Sequence, residues 1–104
     1  MQINYYEETG RIRIRDKVLK DDDIRNAATA VVKKICTVQN MEYNEKTGSV
    51  LIQFQKDTLP IEKLQTLIPV ARKLQAKVNL YTPKKKNEIL AEIERIGETV
   101  DKWS

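Results

Sequence analysis

The segment Arg11-Ile12-Arg13-Ile14-Arg15 alternates apolar and cationic side chains without a break. Successive strand residues point to opposite faces, so this pattern predicts a strand with the isoleucines on one side and the arginines on the other. Such a strand needs paired neighbours and a layer that covers its isoleucines. Directly afterwards the period changes. Asp21, Asp22 and Asp23 precede Ile24, Ala27, Ala28, Val31 and Ile35, spaced as on the buried stripe of a helix, and acids in a first turn suit the positive helix end. A chain that turns from a one-sided strand into a one-sided helix within a few residues packs helix against sheet.

The remaining segments extend this reading. Met41 and Tyr43, a turn at 44–48 ending in Gly48, and Val50, Ile52 and Phe54 predict a β-hairpin. Asp57 or Thr58 can cap a second helix with Pro60 in its first turn and Ile61, Leu64, Leu67, Ile68, Ala71 and Leu74 as its apolar face. Pro69 lacks an amide hydrogen and crowds the carbonyl of Gln65, which predicts a kink or break near 66–69. Residues 76–82 read as a last strand with Val78 and Leu80 inward. The order strand, helix, strand, strand, helix, strand is that of a ferredoxin-like βαββαβ sandwich, a four-stranded antiparallel sheet with two helices on one face. Residues 3–8 extend the first strand or add an edge strand. Thr82-Pro83 closes a domain over 1–83, and 84–104 reads as a separate C-terminal amphipathic helix.

Composition excludes several functions. With 104 residues the chain has one domain's worth of core. One Cys and no His rule out an internal disulfide framework and a Cys/His metal site in a single copy, and leave no ordinary general base near neutral pH. No nucleophile is paired with an orienting group, so the reading is not an enzyme and needs no cofactor. The aspartates 21–23 are contiguous and lack the alternate spacing and glycine of a calcium loop. The start MQINYYEETG has no apolar core and no apolar run approaches a transmembrane span, so the expectation is a cytoplasmic chain. The net charge of +4 lies in residues 1–83, because 84–104 carries equal numbers of acids and bases.

The motifs Gly10-Arg11-Ile12-Arg13-Ile14-Arg15, Ile35-Cys36-Thr37-Val38, Met41-Glu42-Tyr43-Asn44 and Thr47-Gly48-Ser49-Val50-Leu51-Ile52 together resemble the heavy-metal-associated domain family. The likeness is to its second, cysteine-poor branch, whose pattern runs roughly GRLRLR, PGV and VNPxTGSVxVxY, and it covers about residues 10–80. The resemblance implies a metallochaperone-like fold in a metal-transport or metal-homeostasis context. It does not imply a metal site here, because no CxxC lies between Asp16 and Asp23, and Cys36 falls at the far end of the first helix.

The expected function is therefore a protein-interaction module. Its candidate partner-binding residues fall in two groups. Arg11, Arg13 and Arg15 face away from the helices, with Leu51 and Tyr81 as candidate docking residues and Glu42, Ser49, Gln53, Lys77 and Asn79 as neighbours. Ile89, Ile93, Ile96, Val100 and Trp103 are spaced 4, 3, 4, 3 like a coiled-coil seam, which must be buried on the open sheet face of the chain's own domain, on a second copy as a homodimer, on a partner such as a metal-transport protein, or, against the neutral polar face of the helix, on a membrane surface. The alternative is nucleic-acid binding through the arginine strand. Against it, Ser49 and Leu51 stand where an RNA-recognition strand carries stacking rings.

Overall fold

The computed structural model describes residues 2–6, 8–55 and 60–103. Strands β1 (Gln2–Tyr6) and β2 (Arg11–Arg15) form an antiparallel hairpin. Gly10 closes it with a φ of 65°, and its carbonyl accepts from the Phe54 amide at 2.8 Å. Helix α1 (Asp22–Ile35) follows, then β3 (Val38–Asn44) and β4 (Ser49–Phe54). These strands form one four-stranded sheet in the order β1-β2-β4-β3, antiparallel at every step.

Register explains the two faces. Ile12 pairs with Tyr5 and Ile52, and Ile14 with Ile3 and Val50, so the apolar residues of three strands share one side. Ala28 and Val32 of α1 close over that side, packing with Leu19, Val50, Ile52 and Met41. The adjoining stripe of α1, Ile24, Ala27 and Val31, packs with Val78, Ile89, Ile93 and Leu90. Helix α1 thus touches both the sheet and helix α4 (Lys86–Asp101), and its outward side at Asn26, Ala30 and Lys33 stays exposed. Helix α3 (Ile68–Asn79) packs against α4.

The α+β class and the four-stranded antiparallel sheet are as expected. The βαββαβ order is not what the chain shows. Residues 76–79, expected to open the last strand, continue α3, and the edge place beside β2 is taken by β1. Val78 lies four residues after Leu74 and so fits a helical stripe as well as a strand. The tight β1–β2 turn closes a far shorter loop than a strand from the far end of the domain would. The helical break near Pro69 is present: a one-turn helix α2 (Ile61–Leu64) gives way to a 3-10 turn at Gln65–Leu67, and α3 restarts with Pro69 in its first turn, where its missing amide hydrogen costs nothing. The expected cap at Asp57 or Thr58 lies outside the described residues. Among the described residues no helix is long and apolar enough to cross a membrane.

Candidate protein-interaction face

The outer face of the sheet is built by the same register. Arg11 stands between Tyr6 and Gln53, Arg13 between Asn4 and Leu51, and Arg15 between Gln2 and Ser49. Leu51 is flanked in turn by Glu42 of β3. All three arginines are exposed and Leu51 is half-buried. Among the described residues the three guanidinium groups form no ion pair. Tyr6, Arg11, Arg13, Glu42 and Leu51 line an open concavity of about 760 Å³. The arginine row with one apolar centre can meet an acidic surface, because guanidinium groups bind carboxylates with two parallel hydrogen bonds. The outer face of the two central strands β2 and β4 carries no aromatic ring.

Three of the residues expected on this face are not there. Tyr81 and Asn79 were expected there on a fourth strand, and with α3 in its place Tyr81 packs with the core of Val18, Ile24, Val78 and Ile89 on the helical side. Lys77 is likewise on α3, donating to Glu92 of α4 at 3.1 Å.

The C-terminal stripe is buried inside the chain. Ile89, Ile93 and Val100 are 0 to 5% exposed, with Ile89 and Ile93 in the core shared by α1 and α3. Ile96 and Trp103 are half-buried. The stripe docks on α1 and α3 rather than on the open sheet face. Gly97 sits against Val31 and Lys34 of α1, where an added Cβ would lie 3.5 Å from either side chain. Lys34 reaches Asp101 at 3.1 Å across the same contact.

The acidic loop between β2 and α1 was the place to test for a metal. Each of its carboxylates has a structural role. Asp16 Oδ1 accepts from the Val18 amide at 3.0 Å and caps the 3-10 turn Lys17–Lys20. Asp21 Oδ1 accepts from the amides of Asp23 and Ile24 at 3.0 and 3.1 Å and caps α1. Asp22 pairs with Arg25 at 2.6 Å, and that pairing raises the Arg25 pKa. Arg25 also donates to the Leu19 carbonyl and lies 3.9 Å over the Tyr43 ring. The Lys86 ammonium pairs with both Asp21 and Asp23. Among the described residues no three His, Cys, Asp or Glu side chains converge as a metal site would require. Cys36 is buried at the end of α1, its thiol directed at the Val32 carbonyl, and burial pushes its pKa up. The residues present do not fit a soft metal ion, which needs exposed thiolates that converge.

One buried charge escaped the sequence reading. Glu92, 2% exposed, accepts from Lys77 and Arg95 through Oε1 at 3.1 and 2.9 Å, while its buried Oε2 has no hydrogen-bond partner. Lys77 holds its carboxyl below the ordinary glutamate value, against the desolvation that raises it. The only sequence signal was its place one residue before Ile93 on the stripe.

These features define a small α+β domain with one covered and one open sheet face and no assembled metal centre among its described residues. The chain belongs to the heavy metal associated domain 2 family, which it matches over residues 5–103. That match spans both the sheet domain and the C-terminal helix. No curated protein and no solved structure matches the chain.

Proposed function

We propose that the chain is a non-catalytic, cytoplasmic protein-interaction module that works in a metal-handling context through the outer face of its sheet. The observation that carries the reading is the exposed row Arg11, Arg13, Arg15 beside Leu51, left uncovered while α1, α3 and α4 gather on the other side. Family membership supplies the metal context. The partner surface that fits is acidic, with an apolar group to meet Leu51.

The test places a photo-crosslinking amino acid at Leu51 in the native host and a second at the exposed Glu94 of α4 as a control. The expected result is one recurrent protein product from position 51, absent from position 94, that falls severalfold when Arg11→Glu and Arg13→Glu are added. The same products from both positions, or yields indifferent to the charge reversals, would overturn the reading. Recurrent crosslinks to RNA would instead support the nucleic-acid alternative.

A further inference from the structure

Helix α1 covers β2, β4 and β3, but no helix lies directly over β1. Its inward residues Ile3 and Tyr5 remain 61% and 43% exposed. Helix α3 packs on α4 rather than down onto the β1–β2 edge. Between them lies a cavity of about 290 Å³, walled by Ile14 of β2, Leu19 of the turn before α1, Val32 of α1, Leu74 and Val78 of α3, and Ile93 of α4. Among the described residues no charged side chain lines it. Gln75 is its one polar lining residue, and the Gln75 side-chain amide donates to Asn79 at 2.8 Å.

Protein interiors rarely leave voids larger than a water molecule, and a wall of aliphatic groups facing empty space forfeits its dispersion contacts. Water is a poor occupant, because it needs two or more polar partners that this wall lacks. The guest must itself be apolar. Since a cavity of about 150 Å³ takes benzene, this one has room for roughly ten carbon atoms. Leu19, Ile24 and Ile89 form its closely packed floor at 0 to 2% exposed, and the half-buried Ile14, Val32, Ile35 and Leu74 bound the open space. Its mouth lies at Ile3 and the exposed Ala71, beside Gln75, so a small polar head can stay in water while the chain enters.

We propose that this cavity is a binding site for a medium-length alkyl chain bearing a small polar head. The experiment uses the full chain with 13C-labelled methyl groups, titrated with straight-chain alcohols from hexanol to tetradecanol below their aggregation limits. The expected result is saturable, one-to-one shifts of the Ile14, Leu74, Val78 and Ile93 methyls and a rise in melting temperature with ligand. Affinity should improve roughly fourfold per added methylene up to about ten carbons and then level off, as the cavity fills. Narrowing the space with Ala28→Leu, or its mouth with Ala71→Leu, should weaken decanol about tenfold or more. The length series needs no variant and so stands even where a substitution harms folding. No shift at these methyls up to the solubility limit would overturn the proposal. Affinity that keeps climbing past tetradecanol, or shifts spread over the surface without saturation, would overturn it as well, since both mark non-specific association. Phosphatidylcholine vesicles should leave these methyls unmoved; shifts with vesicles and none with decanol would make the groove a membrane contact and overturn the proposal too.

Discussion

The ammonium of Lys86, the first residue of α4, lies 2.7 Å from Asp23 Oδ2 at the start of α1. The same ammonium is 3.0 Å from Asp21 Oδ2. The loop that begins α1 is thereby tied to α4 by a cation of its own polypeptide. Burial raises the Asp21 pKa, but the amides of Ile24 and Asp23 together with Lys86 outweigh it and hold the carboxyl below its ordinary value of 3.8. Lys86 is pushed above its ordinary 10.5, first by Asp23 and then by Asp21.

The pH dependence follows from these directions. Asp21, with its folded value lowered, contributes stability that is present above 3.8 and lost as pH falls through the folded value. Lys86, with its folded value raised, contributes stability that is present below 10.5 and lost only as pH rises through its folded value. Lys86→Met should therefore lower the melting temperature by a constant amount from roughly pH 5 to 9, with the deficit shrinking below about pH 4. Thermal melts of both chains across this range check it. Asp21→Ala also removes the cap of α1 and should cost about 1 kcal/mol in urea denaturation at pH 7.

Titration with metal is a direct check on the loop. Its carboxylates are engaged as caps and ion pairs, and the Cys36 thiol is buried with a raised pKa. The purified chain should bind Cu(I) and Zn(II) no better than its Cys36→Ser variant. Stoichiometric, submicromolar binding that survives this substitution would reveal a ligand set elsewhere in the chain.

The glycines 48 and 97 should respond oppositely to alanine. Gly48 has a φ of 65°, and an added Cβ would lie 2.6 Å from the Asp16 carbonyl oxygen, which is backbone and cannot swing aside. Its own carbonyl accepts from the Asp16 amide at 3.0 Å, fixing the β4 end of the hairpin to the β2 end. Gly48→Ala should destabilise by about 1–3 kcal/mol or more. Gly97 is helical, and its added Cβ would make ordinary contacts at 3.5 Å. Gly97→Ala should stabilise by about 0.5–1 kcal/mol, because alanine loses less conformational freedom in a helix interior. Urea melts of the two variants measure the contrast.

The elements legible in the sequence are those where one period stands alone. Arg11 to Arg15 can only alternate, and they lie as expected with isoleucines under α1 and arginines outside. Around Val78 two periods overlap. Leu74 and Val78 continue a helical stripe while Val78 and Leu80 mimic a strand, and the choice was made elsewhere, by β1 occupying the edge beside β2. The arginine half of the candidate face was legible because it depended on a local alternation. The Tyr81 half depended on the lost strand. For the stripe of α4, spacing showed that Ile89, Ile93 and Val100 must be covered, but which surface covers them is a tertiary matter that spacing does not encode. Glu92 was illegible for a related reason: a carboxylate beside a stripe is ordinarily solvated, and it is the approach of Lys77 from α3, added to Arg95 on α4 itself, that makes its burial tolerable.

Because α1 and α3 cover the stripe, disrupting it should unfold the chain rather than separate copies of it. Ile93 is 5% exposed and touches the core shared by three helices. Truncation by Ile93→Ala removes buried methylenes that the surrounding helices cannot fully close over, and should cost about 2–4 kcal/mol. Ile93→Asp places an unpaired carboxylate in the same site, and at about 3–5 kcal/mol a domain of this size is left partly or wholly unfolded. Urea denaturation measures the first variant and far-ultraviolet circular dichroism the second. Light scattering on folded Ile93→Ala should give the same mass as the parent chain. A lower mass with unchanged stability would mean that the stripe holds copies together, and that the packing of α4 on α1 and α3 is not what covers it in solution.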